Sequence, residues 1–179
     1  SNKANPFSDI FALQALDMIL NNIERACDDQ EAMDAKNTML LASFYAGVAI
    51  TASGTTAVHA LSYPLGGKYH IAHGVSNAIL LAPVMRFNEP ACRPLLAKAY
   101  DRCLKGDAKT EEEKSAAVIQ RLEGIVKHLD IPTSLTEFGV PKEDLEALVA
   151  SGMEVTRLLV NNMRQVTPDD ARKIYQEVL

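Results

Sequence analysis

Several residue types that would indicate other classes of protein are scarce or absent. The 179-residue chain has no Trp and only 6% aromatic residues. Ala, Leu, Val and Met supply most of its hydrophobic content, which favours closely packed helices over a sandwich of aromatic-rich strands. The net charge is −5, and no run of like charges occurs, so the basic surface by which proteins bind nucleic acid is missing. No apolar stretch reaches the roughly eighteen residues of a membrane span.

Cysteine is also scarce, and the number and spacing of the cysteines indicate the redox state of the compartment in which the chain resides. The three cysteines, Cys27, Cys92 and Cys103, are an odd number without paired spacing. Free thiols in a reducing compartment are therefore expected rather than a disulfide framework. The opening residues contain no apolar signal-peptide region. We accordingly expect a cytoplasmic chain that binds neither nucleic acid nor a membrane.

Strand signals are nearly absent, whereas apolar residues recur at helical spacing along most of the chain. No Gly-rich turn joins a strand to a helix, so the sequence offers no obvious dinucleotide site. The pattern predicts a single all-helical domain over residues 1–179, an all-α bundle. We predict helices near residues 8–28, 31–51, 57–65, 73–87, 91–104, 111–129, 141–159 and 168–178.

Two glycines and one proline set the predicted helix ends around the most informative segment. Gly66-Gly67 is expected to end the helix that begins at Ala57, because glycine readily takes the left-handed conformation that closes a helix. Asn88-Glu89-Pro90 is expected to stop the helix that begins at His73. The second helix, residues 31–51, is apolar on most faces from Met39 to Ile50 and is expected to be buried or to face another domain.

Three of the four histidines, His59, His70 and His73, fall within fifteen residues. On one unbroken helix, His59 and His73 would lie about 21 Å apart along the axis and would be unable to share an ion. A break at Gly66-Gly67 allows the next helix to return His73 towards His59. Imidazole is a good ligand for iron, zinc or copper, and histidines from different helices often form metal sites in bundles. His59 and His73 are therefore the candidate metal ligands.

Two further side chains of this segment are candidates for catalysis. Tyr63 follows His59 by four residues, so both lie on one helix face, where Tyr63 can donate a hydrogen bond to a ligand or substrate oxygen. His70 precedes His73 by three residues and also has access to a shared ion if the turn is helical. His128 is expected on a helix surface and receives no functional assignment.

The number of ligands is too small for a complete catalytic site. A catalytic metal takes about three protein ligands and an open position, yet no Asp or Glu occurs between Met39 and Asn88. The other ligands must come from a distant part of this chain or from another segment.

The segment that runs from His59-Ala-Leu-Ser-Tyr-Pro-Leu-Gly-Gly to His73-Gly-Val-Ser-Asn77 resembles the signature of the iron-containing (group III) alcohol dehydrogenases. In that family two metal-binding histidines lie fourteen positions apart, as His59 and His73 do here. The stretch Met39–Ala49 resembles the helix before the first histidine. Asn162-Met163-Arg164 resembles a C-terminal Asn-Pro-Arg, so the resemblance covers essentially the whole chain.

The resemblance implies a two-domain enzyme that transfers a hydride between an alcohol and NAD or NADP. An N-terminal α/β domain binds the nucleotide, and a C-terminal helical domain of the dehydroquinate synthase-like fold holds Fe²⁺, or alternatively Zn²⁺. The family's ligands are an Asp, a first His and two histidines that correspond to His59 and His73. The first two precede a segment like Asn5–Asp9, so the chain is expected to lack them together with the nucleotide domain. The family also implies a small-molecule substrate, an alcohol or aldehyde, and a homo-oligomer.

The sequence departs from the family at two positions, and other functions stay open. Many members carry a histidine where Tyr63 stands, and a phenol is a poorer general base near neutral pH, so His70 is a candidate replacement. Met163 replaces a common Pro, which we expect to alter a loop. Alternatives are a zinc-dependent glycerol dehydrogenase, a dehydroquinate-synthase-like lyase, a maleylacetate-reductase-like enzyme or a non-catalytic helical interaction domain.

Overall fold

A computed structural model describes residues 1–179 and contains helices but no strands. The prediction of an all-α chain is confirmed. The helices are α1 (Pro6–Asp28), α2 (Met33–Ser53), α3 (Ala57–Tyr69), α4 (His73–Cys103), α5 (Glu111–His128), α6 (Leu145–Glu154), α7 (Thr156–Leu159) and α8 (Pro168–Gln176), with 3₁₀ turns at Leu135–Phe138 and Lys142–Asp144. None of these helices alone has the length and hydropathy to span a membrane, and only α2 and α3 taken together across their break meet that test.

The contacts within the chain divide it into two compact units. The first comprises Ser1–Asn2, Thr55–Asn88 and Asp130–Leu179, and the second comprises Lys3–Gly54 and Glu89–Leu129. The prediction of one domain over residues 1–179 stays a prediction.

The first unit packs α3, α6, α7, α8 and the first half of α4 around one apolar core. Leu61 of α3 and Tyr175 of α8 are fully buried there, and the Tyr175 hydroxyl donates to the Leu61 carbonyl at 2.6 Å. Burial raises the pKa of the Tyr175 phenol. Asn162 donates to the Asn88 side chain at 2.7 Å, which fixes the loop after α7 against α4. The packing of α8 and the other helices of this core against α3 therefore holds α3 in place.

The second unit packs α1 against α2 and α5. Arg121 of α5 binds Glu24 of α1 at 2.6 Å, and it also donates to the Leu20 carbonyl at 2.7 Å. The predicted start of α5 is confirmed, because Thr110 and Glu113 form a reciprocal capping box. The three cysteines carry free thiols.

The apolar stretch of α2 is less buried than its composition suggests. Ala42 and Ala49 are buried, but Leu40 and Phe44 are 74% and 64% exposed. This face is therefore not buried within the chain, and the alternative that it faces another domain stays a prediction. The buried residues of α2 are alanines, and Tyr45 packs against Phe11 of α1 with ring centroids 5.7 Å apart.

Two predicted helix ends are also wrong. α3 continues through Gly66 and Gly67 to Tyr69, and the left-handed residue that follows it is His70, with φ 56° and ψ 25°. Glycine permits the left-handed conformation without imposing it. Leu65 and Tyr69 pack into or against the core of the first unit, and that packing favours continued helix at the two glycines.

The second error concerns α4, which runs through Asn88-Glu89-Pro90 to Cys103. Side-chain partners on both sides of Pro90 hold the helix: Asn88 binds Asn162, and Glu89 accepts from Arg93 at 2.7 Å and from Ser115 at 2.6 Å. These tertiary contacts offset the backbone hydrogen bond that proline cannot donate. The predicted helix over 141–159 is instead interrupted at Val155, between α6 and α7.

Candidate metal site

The junction of α3 and α4 brings His59 and His73 together. Their ring centroids lie 5.3 Å apart with an interplanar angle of 57°. His73 is the first residue of α4, and His59 lies near the start of α3. Three residues, His70 to Ala72, reverse the chain between the two helices. The fourteen-residue spacing thus yields a contact between rings because the chain turns after Tyr69.

A polar bridge fixes the two helices at this junction. The buried Ser62 hydroxyl lies 3.1 Å from Asn77 Oδ1 and 3.0 Å from the His59 carbonyl. Asn77 Nδ2 donates to the His73 carbonyl at 2.8 Å and lies 3.0 Å from His73 Nε2. Ser62 and Asn77 therefore tie the backbone of His59 to the backbone and ring of His73. The sequence suggested neither role, because the Ser62–Asn77 bond depends on the fold of the turn.

Electrostatics favour neutral imidazole at His59. Burial lowers the pKa of His59, and the neighbouring His73 lowers it further. A neutral imidazole keeps a lone pair on one ring nitrogen, which is the form that binds metal ions. His59 is therefore chemically suited to act as a ligand near neutral pH.

The separation of the two rings also suits a shared ion. Imidazoles that bind one ion at about 2.1 Å have ring centres roughly 5 Å apart, close to the 5.3 Å found here. No group of three or more His, Cys, Asp or Glu side chains in the chain is arranged to hold an ion. The donors present therefore fit two positions of a metal site and leave the rest to other groups.

Tyr63 lies beside the pair, as the spacing predicts. Its ring centroid is 6.2 Å from that of His73, and its side chain is exposed. Sequence reasoning missed its neighbour Arg157, a residue of α7. Arg157 Nη2 lies 3.4 Å from the Tyr63 hydroxyl, and its guanidinium carbon lies 5.8 Å from the ring centroid. The two residues are 94 positions apart, so no local pattern links them.

His70 is not part of this cluster of rings. Its backbone N–H donates to the Leu65 carbonyl in the turn after α3, and its side chain is exposed. No hydrogen bond or ring contact joins its imidazole to His59, Tyr63 or His73. Its observed contribution is to the backbone, as the left-handed residue that allows His73 to approach His59. His128 lies on the surface, as expected, and binds Asp28 at 2.7 Å.

Comparisons with known proteins place this chain in a family. The model of the Fe-containing alcohol dehydrogenase family, C-terminal, matches residues 1–179. Long-chain-alcohol dehydrogenase 1 of Geobacillus thermodenitrificans is 35% identical over 178 residues, which cover 98% of this chain and 45% of that protein. The 4-hydroxybutyrate dehydrogenase of Clostridium kluyveri is 30% identical over 183 residues, covering 99% of this chain and 48% of that protein.

Solved structures agree with the sequence matches. A 1,3-propanediol oxidoreductase structure has a TM-score of 0.94 at 26% identity, and the match covers 99% of this chain and 46% of that one. Alcohol dehydrogenase from Oenococcus oeni has a TM-score of 0.92 at 25% identity, with the same coverage. The chain spans less than half the length of each of these relatives. It belongs to the Fe-containing alcohol dehydrogenase family and has the all-α fold of that family's C-terminal domain.

Proposed function

We propose that this chain is the C-terminal part of a metal-dependent oxidoreductase that transfers a hydride between an alcohol and NAD or NADP. The observation that carries the proposal is the His59–His73 ring pair, 5.3 Å apart, in a chain that matches the family over its whole length. Relatives of this chain are named as long-chain-alcohol and 4-hydroxybutyrate dehydrogenases. An alcohol or aldehyde is therefore the proposed class of small-molecule substrate.

His59 and His73 are the proposed protein ligands to Fe²⁺, with Zn²⁺ as the alternative. When bound, such an ion polarises a carbonyl or lowers the pKa of an alcohol near neutral pH. The Ser62–Asn77 bond joins α3 to α4 beside the two histidines, and Asn77 also contacts the His73 ring. The remaining ligands, an Asp and a His by family resemblance, are proposed to lie outside these residues, as is most of the surface that binds NAD or NADP.

Tyr63 is the proposed hydrogen-bond donor to the substrate oxygen. It is exposed, and its ring centroid lies 6.2 Å from that of His73. His70 stays a second candidate for moving a proton, with its exposed imidazole on the loop between α3 and α4. A homo-oligomeric, cytoplasmic enzyme also stays a prediction.

Replacement of either histidine tests the site. In the intact protein that carries this chain, His59→Ala or His73→Ala is expected to remove bound metal and alcohol oxidation together, because each deletes a ligand. Metal content by mass spectrometry and NAD(P)-linked oxidation of simple alcohols are the two measurements. His128→Ala, a change to the surface histidine of α5, is the matched control and is expected to alter neither. Full metal occupancy in both site variants would refute the ligand assignment.

A further inference from the structure

The surroundings of the histidine pair contain a cation that the proposed hydride transfer does not require. Arg157 projects from α7 towards Tyr63, with its guanidinium carbon 5.8 Å from the centre of the phenol ring. Tyr63 in turn lies 6.2 Å from His73, centroid to centroid. Arg157 is therefore separated from the proposed metal ligands by a single side chain, and all of these residues belong to the first unit.

Arg157 differs from most other arginines of the chain in lacking an acidic partner. Six arginines bind a carboxylate: Arg25, Arg86, Arg93, Arg102, Arg121 and Arg172. Arg164 lies over the Phe87 ring and donates to the Phe87 carbonyl. The one hydrogen-bond partner of Arg157 is the neutral Tyr63 hydroxyl, at 3.4 Å. The positive charge of Arg157 is thus not neutralised within the chain.

The guanidinium of Arg157 is suited to bind an anionic group. A guanidinium has five N–H donors in a planar fork that matches a carboxylate. Only one of them is directed at Tyr63, and the side chain is exposed, so the others are accessible. The nearest histidine of the pair, His73, carries no negative charge that would repel such a ligand.

Resting on the proposed function, we propose that Arg157 selects alcohols and aldehydes that carry an anionic group, such as ω-hydroxy acids and the corresponding aldehyde acids. The reacting oxygen is held on the side of His59 and His73, while the carboxylate binds the guanidinium of Arg157. Arg157 is in this view a specificity residue and takes no part in the hydride transfer itself.

A comparison of charged and neutral substrates of equal length tests this proposal. The intact protein is assayed with ω-hydroxy acids of three to six carbons and with the diols of the same length. Arg157→Met is expected to lower kcat/KM for the best hydroxy acid by about ten- to a hundred-fold, the effect of losing a charged hydrogen bond, and to leave the matching diol within about three-fold. Arg157→Lys, which keeps the charge, is expected to retain most of the activity on the acid. Arg25→Met, which removes an exposed cation of the second unit, is the control.

Equal losses on acid and diol would overturn the proposal, because they indicate a structural role. A rise in KM for NAD or NADP with every substrate would also overturn it, in favour of contact with a cofactor phosphate. Binding of butanoate and of neutral butanamide, measured by calorimetry, gives a readout that does not need turnover. If Arg157→Met loses butanoate binding and the control variant keeps it, the anion site is supported even if the protein oxidises no alcohol. A lack of alcohol oxidation would instead refute the proposed function. Butanoate binding unchanged by Arg157→Met refutes the anion site.

Discussion

Gly152 lies where α6 meets α3 and α8, and its missing side chain is a requirement of the packing. A Cβ atom at this position would lie 2.8 Å from Leu61 Cδ2 and 3.0 Å from the Tyr175 hydroxyl. Leu61 and Tyr175 are fully buried, so neither has free space to move into. Gly152→Ala is therefore expected to lower the free energy of unfolding by about 1–3 kcal/mol, the usual cost of overpacking a core, as measured by urea denaturation.

Gly124→Ala is the matched control for that change. Gly124 is an exposed residue inside α5, and a Cβ there would meet nothing within 4 Å. Alanine is the better helix former by about 1 kcal/mol, so the control is expected to stabilise the chain. A loss of stability in the control as large as that in Gly152→Ala would show that crowding at Leu61 and Tyr175 is not the cause.

His128 provides a pH-dependent contribution to the stability of the second unit. The hydrogen bond with Asp28 and the charge of that carboxylate raise the pKa of His128; Glu24 raises it further, while burial and Arg121 lower it. Because the pKa is higher in the folded state, the contribution is complete below the unfolded-state pKa of about 6.5. It is lost as the pH rises through the folded-state pKa.

His128→Gln is accordingly expected to lower the urea midpoint at pH 5.5 and to have a smaller effect at pH 9. Denaturation of both proteins at the two pH values measures the difference. Asp28→Asn should remove the same pH dependence, since it deletes the partner. A His128→Gln effect of equal size at both values would contradict the ion pair.

At the scale of elements, the end of α3 determines whether the histidine pair forms. The structure extends α3 through Gly66 and Gly67, with helical backbone at both, and places the left-handed residue at His70. Gly67→Ala is therefore expected to stabilise the chain by about 0.5–1 kcal/mol, because alanine favours helix and no atom lies within 4 Å of the new methyl group. Thermal unfolding followed by circular dichroism measures the change.

A loss of stability in Gly67→Ala would instead support a helix end at Gly66-Gly67, as the sequence predicts. If Gly67 closed α3 in the left-handed conformation, alanine at that position would be strained and the melting temperature would fall. His70→Gly is the companion variant. It is expected to be tolerated by the fold, because glycine adopts the left-handed conformation of residue 70 at no steric cost.

At the scale of the whole molecule, two imidazoles are too few ligands for a catalytic metal site. The purified 179-residue chain is therefore expected to bind divalent metal weakly and to show no NAD-linked oxidation of alcohols. Calorimetric titration with Zn²⁺ and a coupled absorbance assay for NADH measure the two properties. Turnover of a simple alcohol by this chain alone would contradict the proposal that the other ligands and the nucleotide site lie elsewhere.

The amino-acid sequence by itself determined the helical class and the residues that form the ring cluster. These features depend on short-range signals: apolar residues at helical spacing and a fourteen-residue interval between His59 and His73. The family resemblance rests on the same interval and on the residues around it.

Tertiary packing determined the features that local sequence signals predicted wrongly or did not indicate. The core contacts of Leu65 and Tyr69 moved the end of α3 from Gly66-Gly67 to His70, and the partners of Asn88 and Glu89 carried α4 through Pro90. Arg157 reached Tyr63 from 94 residues away. Local propensities are worth about 1 kcal/mol or less per residue, except for the larger penalty at proline, so contacts between distant segments outweigh them. The sequence therefore identified the two histidines that we propose as metal ligands, whereas the fold determined how their rings meet and that Arg157 lies beside Tyr63.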